Sequence, residues 1–315
     1  MRNNLDIVCI GESLIELSTN EGLTYAMSLN KYYGGDTITA AVAASRLGSK
    51  VGYITRVGND YFKDFLLDSW QAENIDITCV KLVEGYNGLY FISRLANGEK
   101  EFAYYRKKSA ATNLTVDDIP EDYIASANIV YATGITQSLS LSTKEAVKKA
   151  FKIAKEKENQ VAYDPNFTSR LWDVEEAKEA MEEVIEYVDI MMLNTKHDAE
   201  KLLGISSSDQ IIKYFWDRGV STVIVKRGTN GVDIGYNGEI VHIPAIVKNI
   251  VDTTGSGDAF NGGVLHGIAS GLTPFEAVKL ATSVASFQVQ GVGAINSIPT
   301  REMVYSEYKH GETQV

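Results

Sequence analysis

The sequence predicts an α/β fold: a mostly parallel central sheet covered by helices on both faces, with a small β-sheet lid added to it. Three observations carry this expectation. Short apolar strand-like runs and helical patterns take turns over most of the 315 residues, which is how a sheet covered on both faces is encoded. The first such run, 7–10, is apolar throughout and ends at Gly11, as a strand buried on both faces does. Residues 88–106 then break the rhythm with two aromatic and β-branched runs around Asn97-Gly98, a hairpin signal.

In chain order, residues 12–17 alternate in part and suit a half-exposed strand. Gly34-Gly35 opens an alanine-rich helix over 36–47, stopped by Gly48. A strand at 51–54 and a helix at 62–71 follow. The 88–106 hairpin carries Tyr90, Arg94, Tyr104, Tyr105 and Arg106; it reads either as a surface hairpin packed on the core or as a flap over a polar substrate. Beyond it, strands are expected at 129–131, 161–164, 189–193 and 222–226. Helices are expected at 143–157 behind Ser142-x-x-Glu145, after Asp173 with Glu176 following, and at 198–203. A second hairpin turns at Asn237-Gly238, and helices close the pattern at 257–269 and, behind Thr273-Pro274-x-Glu276, at 274–290. No repeat or low-complexity linker divides the chain, so one domain over 1–315 is expected, with the lid made from insertions at about 12–33 and 86–107.

Composition narrows the function. Apolar residues make up 44% and charged residues 23%, the balance of a water-soluble globular chain. With 30 basic against 41 acidic residues the net charge is -11, which argues against a nucleic-acid partner. No apolar run reaches membrane-spanning length and none resembles a signal segment, so a cytoplasmic protein with no membrane partner is expected. Cys9 and Cys79 are too few for a disulfide framework or a zinc site.

The chemistry concentrates in Val251-Asp252-Thr253-Thr254-Gly255-Ser256-Gly257-Asp258-Ala259-Phe260-Asn261-Gly262-Gly263. Glycines let backbone approach a ligand, and a helix starting near Gly257 presents unpaired N–H groups and a favourable dipole to an anion. That is a phosphate cradle. A carboxylate at Asp258 repels phosphate, and it makes sense opposite a hydroxyl that loses its proton as phosphate arrives. The alternative is an ordinary glycine-rich loop with Asp258 as a helix cap. The run is neither a Walker A loop nor a GxGxxG.

The longer run, Asp252 through Gly263, resembles the C-terminal motif of the ribokinase-like (PfkB-type) carbohydrate kinases, and the resemblance extends over the whole chain. Gly34-Gly35 with Ala41-Val42-Ala43 and Arg46-Leu47-Gly48 is similar to that family's N-terminal motif, and Asp164-Pro165-Asn166 to the motif at its pocket centre. The resemblance implies a ribokinase-like three-layer sandwich and an ATP-dependent kinase that uses Mg2+ and, as in some members, a monovalent cation such as K+. Asp258 is then the base, and the N–H groups of Gly255, Ser256 and Gly257 the anion hole. Lys226, Gly228 and Gly231, with Asn194 and Gly293, are implied around the nucleotide, and Asp198 and Asp252 near the metal. Lids in this family often pair, so a homodimer through the lid is implied as well.

Within the family, residues 88–91 and 104–110 together with Gly34-Gly35-Asp36-Thr37 are similar to kinases of 2-keto-3-deoxygluconate. The resemblance implies Gly34, Gly35, Thr39, Tyr90, Tyr104, Asn166 and Arg170 as sugar contacts, with Arg106 facing a carboxylate; a guanidinium is a natural fork for one. Arg106 in a surface ion pair is the alternative. The chain departs from the family pattern at Thr39, where asparagine is usual, and at Thr168, where these kinases often carry arginine. A fructokinase or another neutral-sugar kinase, a nucleoside kinase and a silent sugar-binding protein are the competing functions.

Overall fold

The structure, a computed structural model, describes residues 5–95, 99–246 and 248–312. Its strands are β1 (Leu5–Ile10), β2 (Leu14–Thr19), β3 (Asn30–Gly34), β4 (Val51–Gly58), β5 (Val80–Val83), β6 (Leu89–Arg94) and β7 (Lys100–Tyr105) in the first third. β8 (Ala127–Thr133), β9 (Gln160–Asp164), β10 (Ile190–Asn194), β11 (Thr222–Lys226), β12 (Val232–Tyr236) and β13 (Glu239–Ile243) follow. Nine of them form one sheet in the order β13-β12-β11-β10-β9-β8-β1-β4-β5. From β11 to β5 every pair is parallel, and only β12, antiparallel to both β11 and β13, runs the other way. The expected sheet covered on two faces is present. One apolar cluster packs the helices Asp36–Leu47, Ser256–Ala269, Pro274–Gln288 and Arg301–Glu312 on one face. A second packs Leu141–Glu156, Val174–Glu182 and Ser208–Trp216 on the other.

The remaining four strands form the lid in the order β3-β2-β6-β7. β6 and β7 pair antiparallel with Tyr90 opposite Tyr104 and Arg94 opposite Lys100. Side chains alternate along a strand, so Tyr90 and Arg94 share one face with Tyr104 and Lys100. The Asn97-Gly98 turn itself lies outside the described residues. The second hairpin turns where expected, with Asn237 and Gly238 both at positive φ (52° and 81°), the pattern of a type I′ turn.

Several local expectations needed correction. The helix expected behind Ser142 is Leu141–Glu156, capped two residues earlier: Ser140 Oγ accepts from Thr143 N at 3.2 Å and Ser140 N donates to Thr143 Oγ1 at 2.9 Å. Ser142 therefore lies in the first turn. The helix expected at 198–203 is a wide π turn, Thr195–Ala199, running into Glu200–Leu202. Asn194 Oδ1 caps that turn through the N–H groups of Lys196 and His197. The helices Ser208–Trp216 and Arg301–Glu312 were not anticipated. Among the described residues no helix is long and apolar enough to cross a membrane.

Packing around Ser256–Ala269 positions everything that follows. A Cβ on Gly262 would stand 2.3 Å from the carbonyl oxygen of Ala40, so this helix and Asp36–Leu47 touch backbone to backbone. Gly262 is itself buried beside Asn261, a residue of the site described below. Gly262→Val forces the two helices apart; we expect it to destabilise the fold by about 1–3 kcal/mol, read as a lower urea midpoint with an unchanged slope. An unchanged midpoint would mean that the contact is not as close as described.

Candidate active site

Ligands of parallel sheets bind beyond the C-terminal ends of the strands. Here those ends deliver the polar residues directly. β9 ends in Asp164, β10 in Asn194 and β11 in Lys226, while Glu12 follows β1. A cavity of about 520 Å³ opens over Asp164, Asn194 and Lys226, and Asn166, Asp198, Gly228 and Gly231 line it together with Gly255, Ser256, Gly257 and Asp258.

The cradle is the start of the helix Ser256–Ala269. Its N-cap is Gly255, in the left-handed region at φ 76°, and a Cβ there would lie 2.7 Å from the Cβ of Ala294. Only glycine takes this conformation in this space without strain. Asp258 is thus not the cap; it sits in the helix's first turn with part of its surface open to the cavity. Of the three N–H groups expected in the anion hole, that of Ser256 bonds the Thr253 carbonyl at 3.2 Å. Those of Gly255 and Gly257 have no backbone partner among the described residues.

Around Asp258 the charges are unevenly balanced. Asn166 Nδ2 donates to Asp258 Oδ1 at 3.2 Å, and Asn166 itself has a positive φ of 40°. Lys226 Nζ donates to Asp164 Oδ2 at 2.7 Å and to Asn261 Oδ1 at 3.1 Å; Asn261 Nδ2 reaches the same Asp164 oxygen at 2.7 Å. Burial first, and then the charges of Asp36 and Asp164, push the Asp258 carboxyl up to about 8, against the pull of Lys226. Burial beside Asp164 pushes Asp198 up to about 7, although the N–H groups of Phe167 and Asn194 hold it at 2.7 and 2.6 Å. Asp36, held by the Thr133 hydroxyl, is raised by burial too.

The expected sugar residues gather on the lid side. Gly35 caps the helix Asp36–Leu47 against the Glu12 carbonyl oxygen, and a Cβ on Gly34 would lie 2.8 Å from the Tyr90 hydroxyl. Tyr90 donates its hydroxyl to Glu16 and stacks on Tyr104, ring centres 5.5 Å apart. The guanidinium carbons of Arg106 and Arg170 lie 6.0 and 5.8 Å from the Tyr104 ring centre. Thr39 packs against Gly255, and its buried Oγ1 has no hydrogen-bond partner. Arg106 forms a buried ion pair with Glu12, which settles against a surface pair, and its Nε is buried without an acceptor.

Two expectations are corrected. Asp252 does not face a metal: its Oδ1 accepts from Lys100 Nζ (2.5 Å), Thr254 N (2.9 Å) and Thr254 Oγ1 (2.7 Å), and its Oδ2 from Arg94 Nε (2.7 Å) and Gly293 N (3.0 Å). Its oxygens are taken up by lid cations and backbone. Gly293 accordingly braces Asp252 and does not line the cavity. Reading the sequence also missed Glu12, Glu16, Lys100 and Asn261; period-two alternation in β2 and β7 was the available signal for Glu16 and Lys100.

The raised Asp258 carboxyl has a consequence for stability. An aspartate in the unfolded chain ionises near about pH 4, whereas folded Asp258 keeps its proton up to about pH 8; across that window folding must take up a proton, and stability falls as pH rises. Asp258→Asn carries no such charge. Its stability relative to wild type should rise between about pH 5 and about pH 8, measured by chemical denaturation at each pH. A difference independent of pH would contradict the raised carboxyl.

Comparison with known proteins gives the family. Over 302 residues the chain is 31% identical to a 2-dehydro-3-deoxygluconokinase of Thermoproteus tenax, covering 94% of this chain and 92% of that one. It is 30% identical over 308 residues to a 2-dehydro-3-deoxygluconokinase of Bacillus subtilis (strain 168), covering 96% and 95%. Among solved structures, a putative ribokinase II from E. coli in complex with ATP and Mg+2 superposes with a TM-score of 0.89 at 25% identity, covering 97% of this chain and 99% of that one. A model of the pfkB family carbohydrate kinases matches residues 4–301. The sequence run, the cradle on the strand ends and these matches agree, and the chain belongs to the pfkB family of carbohydrate kinases.

Proposed function

We propose that the chain transfers the γ-phosphoryl group of ATP to a hydroxyl of a sugar acid, 2-keto-3-deoxygluconate, the keto acid in the names of its T. tenax and B. subtilis relatives. The observation that carries the acid reading is Arg106. Its buried Nε lacks an acceptor, and a second guanidinium, Arg170, flanks the same tyrosine ring. An arginine with a buried, unpaired N–H favours a ligand that brings an anionic oxygen. The orphaned Oγ1 of Thr39, beside Gly255, favours a hydroxyl-rich ligand.

The cavity suits a nucleotide. Glycines at 228, 231, 255 and 257 leave room for phosphates, and the helix start and Lys226 supply positive potential. The E. coli relative binds ATP and Mg+2, and the same pair is proposed here. Asp198, which lines the cavity, is the residue beside which the metal would be held. When bound, Mg-ATP supplies the activated phosphoryl group. Asp258 accepts the proton of the sugar hydroxyl as the hydroxyl oxygen bonds the γ-phosphorus and the bond from that phosphorus to ADP breaks, and the N–H groups of Gly255 and Gly257 stabilise the charge that builds on the phosphoryl oxygens. The lid excludes water that would otherwise take the phosphoryl group. On this reading the chain works in the cytoplasm as a homodimer paired through the lid.

ADP release with Mg-ATP and a panel of 2-keto-3-deoxygluconate, gluconate, fructose and ribose tests the proposal. Turnover confined to the keto acid is expected. Arg170→Met should raise the KM for that acid by about tenfold or more with a smaller change in kcat, because a charge-assisted hydrogen bond is lost. Asp258→Asn should lower kcat by a factor of about 10²–10⁴ with nearly normal sugar binding. Faster turnover of fructose than of the keto acid would remove the acid-sugar reading, and near-normal turnover by Asp258→Asn would remove the base.

A further inference from the structure

The lid is tied to the phosphate cradle by charge. Arg94 and Lys100, cross-strand partners near the tip of the β6–β7 hairpin, both reach Asp252, 1% exposed at the start of the cradle loop. Arg94 Nη2 also holds Glu16 Oε1 at 3.1 Å, and Glu16 accepts from Tyr90, so the chain of contacts runs from β2 and β6 of the lid into the loop. On the loop side, Asp252 accepts from Thr254 N and Oγ1 and from Gly293 N, and Lys100 adds a contact to Thr254 Oγ1 at 3.2 Å. Thr254 immediately precedes Gly255. Its carbonyl is held by Gln288 Nε2 at 2.6 Å, and Gly255 packs against Ala294, next to Gly293.

Asp252 is therefore a hinge pin with the lid on one side and the cradle on the other. A carboxylate this buried is tolerable only with compensating charges and donors, and two of its compensating groups come from the lid. With the lid lifted, Asp252 keeps its loop hydrogen bonds but loses both cations, and the arrangement it imposes on Thr254 and Gly293 weakens. We propose that Arg94 and Lys100 are positioning residues that couple lid closure to the order of the cradle: the anion-binding conformation of 253–257 is held firmly only when the lid is down. A sugar that holds the lid down then steadies the cradle, so phosphoryl transfer is favoured over loss of the phosphoryl group to water. The effect on turnover rests on the kinase reading above; the effect on the loop does not.

Hydrogen exchange of the 252–257 amides in the ligand-free full chain, with kinase assays alongside, tests this. Lys100→Gln leaves Arg94 to neutralise Asp252 and so preserves the fold. It should speed exchange of these amides by about tenfold or more, leave the helix Leu141–Glu156 unchanged, and lower kcat with little change in the KM for ATP. Lys100→Arg should restore both. Asp252→Asn, which removes the buried charge altogether, should also loosen the loop. Unchanged exchange in both Lys100→Gln and Asp252→Asn would overturn the coupling. A wild-type chain with no kinase activity would overturn the kinase reading alone, because the exchange result still decides the coupling.

Discussion

The site depends on an imbalance of charge. Asp36, Asp164, Asp198 and Asp258 converge at the ends of the parallel strands, and among the described residues the one ion pair made by these four is that of Asp164 with Lys226. Like charges taken out of water cannot all ionise cheaply, so protons are retained where solvation and partners are poorest. Asp258 is raised to about 8 by burial and by the Asp36 and Asp164 charges, whereas Asp164 has both Lys226 and Asn261 on one oxygen. The strands fix where the carboxyls stand, and the glycine contacts of Ser256–Ala269 fix how near Asp258 comes to them. A base with a raised pKa is a stronger proton acceptor when it does ionise, which suits the removal of a proton from a weakly acidic sugar hydroxyl.

The lid answers this with the opposite sign. Its inward face carries Arg94, Lys100 and Arg106, and each meets a buried carboxylate: Asp252, Glu16 or Glu12. Burial raises Glu12, while the donors around Asp252 hold its carboxyl well below the usual carboxylate range. These pairs hold the lid in a definite position, with Tyr90 stacked on Tyr104 and the Arg170 guanidinium against the Tyr104 ring. Ion pairs of this kind lose much when one partner is removed, which makes them better at fixing geometry than at adding net stability.

Much of this was legible in the chain, and the rest was not for physical reasons. Apolar runs without alternation placed the parallel strands, and the glycine-rich run before a helical pattern placed the cradle, because each signal is local. The helix at 36–47 matched residue for residue, since Gly35 and Gly48 end it on both sides. The cap at Ser140 was missed because Ser142-x-x-Glu145 offers the same spacing, and the choice between them is made by tertiary context. The same holds for the wide turn at Thr195–Ala199, where Asp198 bonds Phe167 N across the fold. Asp252 reads as a phosphate-side acid in the sequence because its partners, Arg94 and Lys100, lie over 150 positions away, and no local pattern reveals such a pair.

The most direct test of the central claim is the pH dependence of kcat/KM for the acid sugar, which reports ionisation in the free enzyme. If the raised Asp258 carboxyl is the base, kcat/KM should climb about tenfold per pH unit through the neutral range and level off near about pH 8, where the carboxyl has lost its proton. A profile already flat from about pH 5 to about pH 8 would mean that the base ionises like an ordinary aspartate, and the account of the crowded carboxyls would be wrong.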